Sequence, residues 1–182
     1  MIDTPLRILI VEDLVSDAFL VQKQIKRFCN NVEISISDKE LSLAVALKQF
    51  LPDIVVSDFN LEGFTGFDVI KQVKEFNSEI PVIIITGNLN NEEKAAELIL
   101  QGASGFFLKE NLQNLQQKLQ PLFEKFISEK QELITRLERQ REKDAREREL
   151  TDYLRHHDFE AYEHKEAIES LKDKVLKFLS IK

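Results

Sequence analysis

Tryptophan is absent from the sequence, and cysteine and methionine occur once each. The lone Cys29 excludes an intramolecular disulfide, so the fold must be held by packing; a free thiol there is expected to close a helix as a small buried group. There is no charged segment leading into a short apolar one, and no apolar run long enough to span a bilayer. A cytoplasmic protein without a membrane anchor is therefore expected. Basic residues are not in excess: 11 Lys and Arg face 17 Asp and Glu through residue 120, and 14 face 15 beyond it. Neither part carries a nucleic-acid footprint. Glycine and proline are few, and all five glycines and all four prolines lie at or before residue 121. The remaining residues contain no helix breaker.

Between Leu6 and Lys109 short apolar runs alternate with longer amphipathic ones, the pattern of βα units in a parallel sheet. Strands are expected over Arg7–Val11, Val32–Ser35, Ile54–Ser57, Val82–Thr86 and Gly105–Leu108, and helices over Ser16–Phe28, Lys39–Phe50, Phe67–Phe76 and Asn91–Gln101. Ile8-Leu9-Ile10-Val11 and Ile54-Val55-Val56 are apolar at every position, so helices must cover both faces of the sheet.

From Pro121 to Lys182 the composition is that of a helix, with Pro121 in a first turn that needs no amide donor. Unbroken, it would reach about 90 Å, too long to stand without a partner helix. Leu150, Leu154, His157, Ala161, His164, Ile168, Leu171, Val175 and Phe178 follow steps of four and three, the a/d stripe of a coiled coil. Leu119, Leu122, Phe126 and Leu133 fall in the same frame. The charged stretch between them, Glu138 to Glu149, is supported by i, i+4 pairs and leaves room for a hinge. Two regions are thus expected, 1–120 and 121–182.

Ligand sites in parallel sheets form beyond the carboxyl ends of the strands. Asp58 follows one apolar run there, and Glu12 and Asp13 follow another. Three carboxylates at one mouth repel unless a cation joins them, and an all-oxygen set favours magnesium over zinc. Thr86 ends the fourth run and Lys109 the fifth. A hydroxyl and an ammonium beside an ionised aspartate can hold the oxygens of a phosphoryl group.

In order and spacing, Val11-Glu12-Asp13, Asp58, Thr86-Gly87, and Gly102-Ala103-Ser104-Gly105-Phe106 leading to Lys109 resemble the receiver domain of two-component response regulators, from about Leu6 to Leu119. The resemblance implies a flavodoxin-like, doubly wound α/β fold with five parallel strands in the order 2-1-3-4-5. It makes Asp58 the acceptor of a phosphoryl group from a histidine kinase or phosphotransfer protein. The chain would catalyse only its own phosphorylation and dephosphorylation, with no other enzymatic activity. Magnesium would be held by Asp13, Asp58, the backbone carbonyl of Asn60 and, through water, Glu12. Lys109 would pair with a phosphoryl oxygen, Thr86 would donate its hydroxyl to another, and Phe106 would be the aromatic switch. Output would pass through the fifth helix into the coiled coil, with a homodimer as the expected assembly. Three features depart from the family pattern: Glu110 replaces the usual proline, Phe106 lacks a tyrosine hydroxyl, and Asn111 to Gln120 reads as an extra turn or short helix before Pro121.

The histidines have competing readings. His157-Asp158 is similar to the acid-flanked histidine of kinase dimerisation helices but lacks that family's proline, and Asp152, His156 and Glu160 could line up as metal ligands. A structural role is preferred, with His157 and His164 as polar layers at d positions; buried layers would weaken self-association at about pH 5 relative to pH 8. Other classes stay open: the regulatory front end of a larger signalling enzyme such as a histidine kinase or nucleotide cyclase, or a coiled-coil scaffold that is not phosphorylated.

Overall fold

Runs that are apolar at every position become the inner strands of one sheet. The computed structural model describes residues 1–87, 92–109 and 114–156. Its strands are β1 (Leu6–Val11), β2 (Val32–Ser37), β3 (Ile54–Ser57), a short pair β4 (Asn60–Leu61) and β5 (Phe64–Thr65), then β6 (Val82–Thr86) and β7 (Gly105–Leu108). Its helices are α1 (Val15–Ile25), α2 (Glu40–Gln49), α3 (Gly66–Phe76), α4 (Glu92–Leu100), α5 (Leu115–Glu129) and α6 (Gln131–His156). The five long strands pair in parallel as β2-β1-β3-β6-β7, which is the expected order 2-1-3-4-5 when the small pair is left out. That antiparallel pair, β4 with β5, was not anticipated; Gly63, at φ +84°, makes the turn between its strands.

Alternation along each strand divides the core into two layers. Ile8, Ile10, Ile54, Val56, Ile83 and Ile85 pack with the buried faces of α1 and α5, whereas Leu9, Val11, Val55, Val82 and Ile84 pack with those of α2, α3 and α4. Register carries this order to the sheet edge. Val11 lies beside Ser57, and the ladder extends one residue further, since the Asp58 amide donates to Val11 O at 2.9 Å and the Glu12 amide to Ser37 O at 2.9 Å. The two acidic residues therefore leave the sheet side by side.

Helix α1 ends at Ile25, with tighter bonds from Arg27 N to Gln24 O and from Phe28 N to Ile25 O. Cys29 donates its amide to Ile25 O and is buried, and that burial pushes its thiol up to about 12. It closes the helix as expected and is not reactive.

The C-terminal expectations require correction. Pro121 does not open a helix; it lies inside α5, which starts at Leu115. The reason is burial: Leu115, Leu119, Phe123 and Phe126 recur at helical spacing and all face the core, so packing extends the helix back past the proline. Nor does one helix run from there without a break. Lys130 leaves helical geometry at φ −115°, ψ 24°, and α6 starts at the next residue. The break lets Leu133, Ile134 and Leu137 turn into the core, where each is at most 6% exposed. Leu119, Phe126 and Leu133 are thus core residues, not a free end of a coiled-coil stripe. The charged stretch expected to hinge lies within continuous helix, with Arg146 paired to Glu142 at 3.3 Å.

Two compact units result, Met1–Leu137 and Glu138–Lys182. Of the proposed coiled-coil positions, Leu150 and Leu154 fall in α6; His157, Ala161, His164, Ile168, Leu171, Val175 and Phe178 lie outside the described residues. No described helix is long and apolar enough to cross a membrane.

Candidate functional site

The carboxyl edge of the sheet gathers the residues that the sequence singles out. Glu12 and Asp58 are buried, at 3% and 8% exposure, and Asp13 is half-buried beside them. One carboxylate oxygen from each of the three lies within 4.8 Å of the others. Backbone amides hold the arrangement: Phe59 N donates to Asp58 Oδ1 at 2.7 Å, Leu14 N to Glu12 Oε1 at 3.2 Å and Glu62 N to Asp13 Oδ2 at 3.1 Å. The last of these gives the unanticipated β4–β5 pair a purpose, because its turn fixes Asp13 from the far side.

Lys109, at the end of β7, sends its ammonium into this cluster. Nζ lies 2.6 Å from Glu12 Oε2, 2.8 Å from Asp17 Oδ2 and 3.3 Å from Asp58 Oδ2. Burial alone would lower its pKa. The hydrogen bonds to Asp17 and Glu12 and the charges of Asp58 and Glu12 win, and they hold the ammonium above the ordinary lysine value. Burial pushes Glu12 up to about 6, with the Asp58 charge acting in the same direction and Lys109 opposing it.

Thr86 is fully buried, and its hydroxyl accepts a hydrogen bond from Asn60 Nδ2 at 3.3 Å. Phe106 pairs with Ile84 in the ladder and packs, half-buried, against the α2–α4 layer. Glu110 lies outside the described residues. Asp17 was missed, because an acidic residue in the first turn of a helix is already explained by the helix dipole. Only the position of Lys109 gives it a second meaning.

The donor set suits a hard divalent cation. All the candidate ligands are oxygens, and one ammonium meets the carboxylates of Glu12, Asp17 and Asp58 with Asp13 close by, so negative charge remains to be neutralised.

A doubly wound parallel sheet with clustered carboxylates, a hydroxyl and a lysine at its carboxyl edge defines the class: a flavodoxin-like α/β protein with its site at the strand ends. The family model of the response regulator receiver domain matches residues 8–120, and the chain belongs to that family. It is 29% identical over 109 residues to the transcriptional regulatory protein ZraR of Salmonella typhimurium, a match covering 60% of this chain and 24% of ZraR. The chain thus matches about a quarter of that relative's length. Among solved structures, the signal receiver domain of a LuxO repressor protein from Vibrio parahaemolyticus superposes with a TM-score of 0.61 at 24% identity, over 69% of this chain and 95% of that one. The Mn(2+)-bound form of the response regulator Rcp1 superposes with a TM-score of 0.55 at 26% identity, over 65% and 91%.

Proposed function

We propose that the chain is a phosphorylation-controlled switch in which Asp58 accepts a phosphoryl group from a histidine kinase or phosphotransfer protein. The observation that carries this reading is the pairing of a buried Asp58 carboxylate with the Lys109 ammonium at 3.3 Å, beside the buried hydroxyl of Thr86. A carboxylate is already ionised at neutral pH and needs no base, so the chain's task is to position groups and balance charge. An Asp58 oxygen attacks phosphorus, the bond from phosphorus to the donor's nitrogen or oxygen breaks, and an acyl phosphate forms. Lys109 pairs with one phosphoryl oxygen. Thr86 turns its hydroxyl from Asn60 to another, which draws the end of β6 towards the site and gives Phe106 room to turn inward.

Magnesium would be held by Asp13, Asp58, the Asn60 carbonyl and, through water, Glu12, and when bound it would neutralise charge on the transferring group; the clustered carboxylates support a divalent cation here, as does the existence of a Mn(2+)-bound form of the related Rcp1. The switch selects between two packings of one fold. Its output is read through α5 and α6 into the C-terminal segment, whose a/d stripe from Leu150 to Phe178 would pair helices in a homodimer or with a partner protein. The greater length of ZraR favours a second reading, in which this chain is the regulatory part of a larger signalling protein. Coding sequence continuing past Lys182 into a catalytic region would decide for it.

Incubation with acetyl phosphate and magnesium, followed by intact mass measurement, is expected to add one phosphoryl group to the wild type and none to Asp58→Asn. An unlabelled wild type that is folded would leave the scaffold reading. Sedimentation with and without beryllofluoride and magnesium then tests output, and an unchanged mass would remove the link from site to helix pairing.

A further inference from the structure

Of the contacts that hold the Lys109 ammonium, the one to Asp17 has no part in the phosphoryl chemistry described above. Asp17 reaches Lys109 from the first turn of α1, a different element from those carrying Glu12 and Asp58, and its carboxylate is partly buried, at 26% side-chain exposure. An ammonium has three N–H donors. Glu12 and Asp17 take the two short contacts, at 2.6 and 2.8 Å, and Asp58 receives the longest, at 3.3 Å. The geometry points to Asp17 as a positioning residue that, together with Glu12, fixes Lys109 from two sides and holds its charge beside Asp58 and the phosphoryl group that Asp58 would carry.

The physical reason lies in the lysine side chain. Four methylene groups give Lys109 many rotamers, and fixing them carries a side-chain entropy cost. Glu12 alone would leave the ammonium free to swing about one contact, and a charge-assisted bond from α1 removes that freedom before phosphoryl transfer. Asp17 stands outside the group Glu12, Asp13 and Asp58 whose oxygens could share a cation, so its loss leaves that group intact.

The inference rests on the phosphoacceptor reading, and two measurements separate the two. The first is the Lys109 ammonium resonance in proton–nitrogen NMR of the full chain, identified by its absence in Lys109→Arg. It is expected to exchange slowly with water in the wild type, to broaden or vanish in Asp17→Asn and to return in Asp17→Glu. The second is the rate of phosphorylation by acetyl phosphate at saturating magnesium. Asp17→Asn is expected to lower it on the order of tenfold, what about 1.4 kcal/mol represents, with unchanged magnesium affinity and thermal midpoint and with recovery in Asp17→Glu.

An ammonium resonance identical in wild type and Asp17→Asn overturns the inference, whether or not any phosphorylation occurs. So does an unchanged rate in a wild type that is labelled, or a rate lost only together with thermal stability. If the wild type takes no label, the phosphoacceptor reading fails by itself, and the resonance still decides what Asp17 does to Lys109.

Discussion

Glu12 bears the sharpest conflict of any residue in the molecule: it is 3% exposed, shares its site with Asp13 and Asp58, and is held ionised chiefly by Lys109 at 2.6 Å. Its pKa of about 6, against an ordinary 4.5, means that the folded chain binds this proton more tightly than the unfolded one. The sign follows from linkage. Stability contributed by neutral Glu12 is present below about pH 4.5 and is lost as pH rises through about 6, by roughly 2 kcal/mol. In the presence of a chelator, the wild type should therefore lose stability relative to Glu12→Gln between those values, as urea unfolding at each pH would measure. A cation binds the ionised form, so magnesium should raise the melting temperature more at pH 7 than at pH 5. Equal shifts at the two values would remove Glu12 from the cation's surroundings. Glu12, Asp13, Asp58, Thr86 and Lys109 were all legible in the sequence, because apolar strands end abruptly in polar residues. Asp17 was not, because nothing in a helix's first turn reveals that a lysine from the far end of the sheet will reach it.

For whole elements, legibility followed burial. β1, β3 and β6 are covered on both faces and have no other reading, whereas the two-residue strands β4 and β5 are too short to show a period. The start of α5 is hidden in the sequence because Pro121 resembles a first-turn residue, while the apolar stripe that extends the helix back to Leu115 is short. Pro121 sits on the exposed side of that helix, where its missing amide leaves the Gln117 carbonyl without its usual helical partner. Replacing it should therefore help the fold. Pro121→Ala is expected to raise stability by up to about 3 kcal/mol, the cost of an interior helical proline relative to alanine. Chemical denaturation would read it as a higher midpoint with an unchanged slope. A fall in stability would mean that the proline shapes the approach of α5 to α1.

The molecule as a whole sets a boundary that neither the strand pattern nor the family match indicates. The match ends at residue 120, yet the compact unit continues to Leu137. Leu133, Ile134 and Leu137 belong to a highly charged helix, in which Leu133 reads as part of a coiled-coil seam; only the burial of all three shows otherwise. Further back, Phe123 is fully buried and meets Phe28 edge to face at 5.3 Å, while Phe126 and Ile134 belong to the same core layer as Ile2 and Cys29. A fragment ending at residue 120 would uncover all of this. Loss of a single buried phenylalanine side chain costs about 3–5 kcal/mol, and domains of this kind have roughly 5–15 kcal/mol in total. Residues 1–120 should thus be marginal or unfolded at room temperature. Residues 1–137 should unfold cooperatively with a midpoint close to that of the full chain, because that fragment keeps every buried contact of α5 and the first turns of α6. Urea titrations of the two fragments would settle the matter, and equal midpoints would mean that the segment from Pro121 to Leu137 rests on the core without stabilising it.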